Sequence, residues 1–183
     1  MSKSNHEDRD EKLQETFSRV LYLAENGKRL GLVLGPPGYG KSDSLRQIER
    51  KMHERGHTTI LLDLTSETDI ASPLLKMMCA SHDYTDSLHI SPGSQWKRLT
   101  DYLLRSCDSE NSTSTNKTNS PTPILFLDHV DRCDQHAIRD IIRLIRFHDV
   151  HAIPRLFVAC VDSEYLFSLD ARLLDRIDMK LVL

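Results

Sequence analysis

A chain of 183 residues, 39% apolar and 28% charged, has the size and balance of one globular domain. No apolar run approaches the ~18–20 residues that a membrane span requires, and the polar stretch Met1 to Lys12 has no apolar core of a secretory signal. A net charge of −3 does not announce a nucleic-acid binder, although it leaves room for a local basic face.

Residues 1–12 read as a disordered lead-in, with a single domain over 13–183. Leu13, Phe17, Val20, Leu21 and Ala24 form a helical stripe that Asn26 and Gly27 terminate. Leu32, Val33 and Leu34 make a short buried strand. It runs into Gly35, Pro36, Pro37, Gly38, Tyr39, Gly40, Lys41 and Ser42, which fit G-x-x-x-x-G-K-[ST], the Walker A motif. A helix follows, with Leu45, Ile48 and Met52 on one face.

Strand, glycine loop and helix are the setting in which this motif binds a nucleoside triphosphate. Gly38 and Gly40 open backbone angles closed to other residues, so successive N–H groups turn toward phosphate. The helix N-terminus adds partial positive charge. Lys41 is expected to reach the β- and γ-phosphates and the Ser42 hydroxyl to ligate Mg²⁺. The nucleotide-contacting run extends from Gly35 through Asp43.

The helix stops at Gly56, and Thr58 to Leu64 reads as a second strand. Ile70 to Ala80 is helical, with Pro73 in its first turn and Leu74, Leu75, Met77 and Met78 as packing residues. Trp96, Leu99 and Leu103 mark another helix. Residues 108–123 contain nothing apolar to bury and read as a flexible surface insertion. The N-x-[ST] matches at Asn111 and Asn116 fall there and are read as accidents of composition. Ile124 to Leu127 form a third strand ending in Asp128.

Ile138, Ile141, Ile142 and Ile145 place a helix next, with Arg139, Asp140, Arg143 and Arg146 off its apolar stripe. Leu156 to Val161 is a fourth strand, Leu169 to Ile177 a helix, and Met179 to Leu183 a fifth strand. Alternating strands and helices predict an α/β fold: a three-layer α-β-α sandwich around a parallel five-stranded sheet. Cys79, Cys107, Cys133 and Cys160 show no metal or C-x-x-C spacing. They read as free thiols of a cytoplasmic protein.

Four apolar residues and then Asp128 form a Walker B arrangement, in which the carboxylate holds Mg²⁺ through its water shell. The Walker A loop, a strand ending in Asp128-x-x-Asp131 and the last strand-plus-arginine segment resemble the AAA+ ATPases. Within them the chain is most similar to the MuB/TniB/TnsC ATPases of DNA transposition. That likeness rests on the helix carrying Arg143 and Arg146 and the turn His148-Asp149. It continues through Ile153-Pro154 before the fourth strand and the segment Leu169-Asp170-x-x-Leu173-x-x-Arg176-Ile177.

The resemblance implies ATP and Mg²⁺ as cofactors and Asp128 as the Walker B acid. It puts Cys160 at or near sensor 1. By the same resemblance Arg176 would be the arginine finger toward a neighbouring subunit's γ-phosphate, with Arg172 as second candidate. It further implies a homo-oligomer, DNA and a transposase-like protein partner; the charged face of Arg139, Arg143 and Arg146, with Lys97 and Arg98, offers the candidate phosphate contacts, and no membrane is expected.

Two departures from the family bear on catalysis. The family's usual Glu after the Walker B Asp is His129 here, and Cys160 replaces the usual sensor 1 amide or hydroxyl. An imidazole accepts protons near neutral pH but is shorter than Glu. Secure ATP binding with slow or partner-dependent hydrolysis is therefore expected. The helical lid usual in the family, with its sensor 2 arginine, is not evident after Leu183, which leaves a lidless protein or a shortened chain. A nucleotide-gated interaction module with little catalysis is the alternative. A small-molecule kinase fits less well, because no arginine-rich lid segment is found.

Overall fold

The structure, a computed structural model, describes residues 3–65, 70–78, 91–108, 123–151 and 156–183. Nearly all of the insertion expected at 108–123 lies outside the described residues, as do Cys79, Asn111, Asn116 and Ile153-Pro154-Arg155.

Five strands form one parallel sheet: β1 (Leu30–Gly35), β2 (Thr59–Asp63), β3 (Ile124–Asp128), β4 (Leu156–Asp162) and β5 (Met179–Val182). Their order across the sheet is β2-β3-β4-β1-β5, so the phosphate loop leaves an inner strand next to β4. The helices are α1 (Lys3–Glu25), α2 (Lys41–Glu54), α3 (Ala71–Met78), α4 (Pro92–Asp108), α5 (Gln135–His151) and the short α6 (Ala171–Leu174).

Strand periodicity divides the core in two. Leu125 and Leu127 of β3 and Phe157, Ala159 and Val161 of β4 enter one layer, with α3, α4, α5 and α6. Ile124 and Phe126 of β3 and Leu156, Val158 and Cys160 of β4 enter the other, with α1 and α2. This is the expected three-layer sandwich, and near-continuous apolar strands are what burial on both faces requires. Packing of α1 is close enough to need a glycine. A Cβ on Gly31 would sit 2.8 Å from Cδ1 of Leu23.

Two boundaries differ from expectation. Helix α1 begins at Lys3, through residues expected to be an unstructured lead-in. Glu7, Glu11 and Lys12 are good helix formers, and a helix anchored by Leu13, Phe17 and Val20 propagates through them at little cost. The helix expected over Leu169 to Ile177 contracts to α6, after a 3-10 segment at Ser163–Ser168. Asp170 caps α6 by accepting from the Arg172 N–H at 2.9 Å. Asp178, beyond α6, accepts from the backbone N–H groups of Arg29 and Leu30 at 2.6 and 3.1 Å, which ties that segment to the start of β1.

Arg172 also grips the Asp170 carboxylate, with Nη2···Oδ2 at 2.6 Å. Its hydrogen bonding, above all, holds that carboxyl at about 2 against an ordinary 3.8. A depressed folded-state value means the contribution is complete above the unfolded value and is lost as pH falls toward about 2. Asp170→Asn is expected to flatten this part of the acid limb, read from the unfolding midpoint between about pH 4 and 2.

Candidate nucleotide site

Period two carries the same division to the C-terminal ends of the strands. Asp63 follows Leu61, Asp128 follows Phe126 and Asp162 follows Cys160, so all three acids stand on the α1–α2 side. The register places Asp63 opposite Asp128, and Asp162 opposite Gly35 at the root of the phosphate loop. The loop and two of these acids, Asp128 and Asp162, border a cleft of about 260 Å³. It is lined by Gly38, Gly40, Lys41, Ser42, Asp43, Asp128, His129, Asp131, Arg132, Cys160 and Asp162.

The loop has the backbone its motif predicts. Gly38 and Gly40 take φ of 73° and 76°, the left-handed region that glycine enters without strain. No side chain caps α2 at Gly40. Its first N–H groups are therefore left for an anion, which the helix dipole also favours. Pro36, Pro37 and Tyr39 are exposed, and Lys12 lies over the Tyr39 ring at 5.7 Å. Asp43 is in the first turn of α2, 3.5 Å from Arg46.

Lys41 is buried and bends back over the root of the loop. Its Cγ and Cδ lie 3.3 Å from where a Cβ on Gly35 would be, so its stem needs that glycine. Its ammonium donates to Pro36 O at 2.6 Å and pairs with Asp162. Arg132 reaches the other oxygen of Asp162 at 3.5 Å. Burial pushes the Asp162 carboxyl up, but Lys41 first and then Arg132 outweigh it and hold it below the usual 3.8. Asp162 thus occupies the lysine that a phosphate would take.

Asp128 is 2% exposed, and its Oδ1 accepts the His129 N–H at 3.0 Å. His129 is the one non-glycine with positive φ among the described residues, at 57°. A side chain held there marks a strained position worth a functional account. Its ring spans the cleft, with Nδ1 3.1 Å from Oδ1 of Asp63 and Nε2 3.5 Å from the Ser42 hydroxyl. Cys160 lies beside Asp128. Burial first, and then the Asp128 charge, push its thiol well above the ordinary range, so it is a neutral and weak hydrogen-bonding group.

Ser42 and Asp128 offer hard oxygen donors in one cleft and fit Mg²⁺ carried in with a triphosphate, which takes only one or two protein ligands. Among the described residues no three His, Cys, Asp or Glu side chains are grouped to hold a metal unaided.

The structure therefore brings together Lys41, Ser42, Asp128, His129 and Cys160. It does not bring Arg176 to them. Arg176 pairs with Asp149, which also meets Arg29 at 3.4 Å just ahead of β1, at the end of the sheet away from the phosphate loop. Arg172 and Arg176 instead line a separate small cavity with Arg146. Neither arginine serves its own cleft. Asp63, Asp162 and Arg132 are site residues that the sequence reading missed. The signal was there for the two acids, each standing two positions beyond an apolar strand residue on the Asp128 side.

A glycine loop around a buried lysine, an uncapped helix and an acid row at the strand ends define an ATPase-type nucleotide-binding domain of the P-loop class. Residues 24–165 match the AAA domain family, and the chain belongs to it. Among solved structures it is similar to Cdc6p from Pyrobaculum aerophilum, at 16% identity over 94% of this chain and 45% of that one, with a TM-score of 0.62. It is also similar to Drosophila ORC bound to DNA, at 11% identity over 94% of this chain and 91% of that one, TM-score 0.58. A further likeness is to Drosophila ORC bound to AT-rich DNA and Cdc6, at 15% identity over 96% and 57%, TM-score 0.56. At these identities the likeness is one of fold. The chain spans about half the length of the Cdc6p structure. No curated protein matches it.

Proposed function

We propose that the chain is an ATP-binding regulatory factor in a DNA transaction of the transposition type, whose hydrolysis is slow or waits on a partner. The observation that carries the kinetic part is the imidazole of His129, held on a left-handed backbone where a carboxylate would serve as base. In the reaction, the oxygen of a water bonds to the γ-phosphorus and the bond to the β,γ-bridging oxygen breaks. ADP leaves with that electron pair, and the water proton passes to Nε2 of His129. Lys41 would exchange Asp162 for the β- and γ-phosphates, and Ser42 and Asp128 would hold Mg²⁺, which would supply charge neutralisation.

The DNA part is supported by the exposed Arg139, Arg143 and Arg146 on α5 and by Lys97 and Arg98 on α4. It is also supported by the fold shared with ORC structures that contain DNA. A transposase-like partner and an oligomer bridged by Arg176 belong to the same reading. Asp149 would then have to give up Arg176 to a neighbour's γ-phosphate.

ATP turnover in wild type and His129→Glu tests the base. Glu is expected to raise the rate by about tenfold or more. A wild-type rate already typical of AAA+ enzymes, and unimproved by Glu, removes the proposal. For DNA, a salt-sensitive gel shift that requires ATP is expected. Absence of a shift at low salt with ATP removes that part. A second reading, a nucleotide-gated module with little catalysis, is favoured by the neutral Cys160 thiol. It predicts nucleotide-dependent capture of a protein partner without phosphate release.

A further inference from the structure

Asp63 stands opposite Asp128 in the sheet register. Asp63 ends β2, half-exposed, and one of its oxygens gathers three partners. Oδ1 accepts from the Thr65 N–H at 3.1 Å and from the Thr65 hydroxyl at 2.6 Å, and lies 3.1 Å from His129 Nδ1. The Thr65 pair fixes the direction of that oxygen before the imidazole reaches it.

Which ring nitrogen of a histidine carries the proton is set by the hydrogen bond the other makes. A carboxylate only accepts. A neutral ring meeting Asp63 through Nδ1 must therefore bring its proton to that contact, and Nε2 is left with its lone pair. Nε2 faces Ser42, the residue at the phosphate end of the loop. The ring is held at its other end as well. The left-handed backbone of His129 and the acceptance of its N–H by Asp128 set where the imidazole leaves the chain.

We propose that Asp63 is a positioning residue for hydrolysis: it fixes neutral His129 as the Nδ1–H tautomer and turns Nε2 into the cleft as the proton acceptor. The proposal rests on the reading of His129 as the base, and adds the residue that makes this imidazole usable. Oδ1 of Asp128 lies 3.6 Å from Nδ1, beyond hydrogen-bond reach, so without Asp63 the ring is free to carry its proton on Nε2, and a protonated neutral Nε2 accepts nothing from water. The arrangement is that of a carboxylate holding a catalytic imidazole in one tautomer, where an incorrect tautomer leaves geometry intact and removes rate.

The test uses the full chain with ¹⁵N-labelled histidine, the His129 ring signals being assigned by their loss in His129→Ala. Wild type is expected to show a protonated Nδ1 and an unprotonated Nε2. Asp63→Ala is expected to reverse the pattern and lower kcat for ATP about tenfold or more. KM for ATP and the affinity for a non-hydrolysable ATP analogue should stay within about twofold, because among the described residues the hydrogen bonds of the Asp63 carboxylate run to Thr65 and His129. Asp63→Asn can turn its amide NH2 toward Nδ1, so it is expected to leave the fold intact, favour the Nε2–H tautomer and lower kcat as Asp63→Ala does.

A wild-type ring protonated on Nε2, or a ring that stays Nδ1–H in Asp63→Ala, overturns the proposal. So does an unchanged kcat in Asp63→Ala when the tautomer has reversed. His129→Ala separates the two ideas: if it loses turnover while Asp63→Ala does not, the base stands and the positioning role falls. If neither substitution changes kcat, both fall.

Discussion

Lys41→Ala is expected to weaken ATP binding about a hundredfold or more, close to 3 kcal/mol, measured by isothermal titration with a non-hydrolysable analogue. Lys41 supplies the buried positive charge at the root of the loop, and its stem packs closely against Gly35. The same change should also lower the stability of the free protein. Asp162 is 5% exposed and, among the described residues, would keep only Arg132, at 3.5 Å, as a cationic partner. Breaking a buried pair from one side leaves a charge that water cannot reach, and costs several kcal/mol where no other partner remains. Arg132 reduces that penalty to about 1–3 kcal/mol. The double variant Lys41→Ala/Asp162→Ala is therefore expected to regain stability in denaturant unfolding without regaining nucleotide affinity. Equal loss of stability in the single and double variants would mean that the Asp162 contact does not hold the empty loop.

Much of this site was legible because its central parts are local in sequence. Eight consecutive residues set the phosphate loop, and the apolar run ending in Asp128 announced a buried strand with an acid at its tip. Five parallel strands followed from alternating periodicities in the same way. The missed residues are non-local. Asp63 and Asp162 each look like an ordinary polar end to a strand, and only the register of four neighbouring strands sets them beside the loop. His129 was noticed as a departure, but its left-handed backbone and its bridge between Asp63 and Ser42 could not be read from its neighbours. Arg176 was noticed as a charge at the right spacing, while its engagement by Asp149 depends on how α5 and the segment after α6 meet. The length of α6 was misread for a related reason. Helix ends respond to caps and to what the chain must reach next, as Asp170 and Asp178 do here.

Phe126→Ala is expected to cost about 3–5 kcal/mol, a large share of the roughly 5–15 kcal/mol that holds a domain together. Phe126 is fully buried in an inner strand, among Leu45, Ile48 and Met52 of α2 and Val158 and Cys160 of β4. Each of these elements continues into the site: α2 begins at Lys41, β3 ends at Asp128 two residues on, and β4 ends at Asp162. A cavity at Phe126 therefore loosens the layer that sets the distance between the loop and the acid row. Nucleotide should oppose this. A ligand present at a hundred times its Kd adds about 2.7 kcal/mol to the folded state, enough to offset more than half of the loss. Thermal unfolding of Phe126→Ala is thus expected to show a low midpoint that rises steeply with Mg²⁺-ATP. In Phe126→Ala/Lys41→Ala the midpoint should stay low at every nucleotide concentration. A rise in the double variant would show nucleotide held by contacts other than Lys41, and would shift the weight of binding to the backbone N–H groups of the loop.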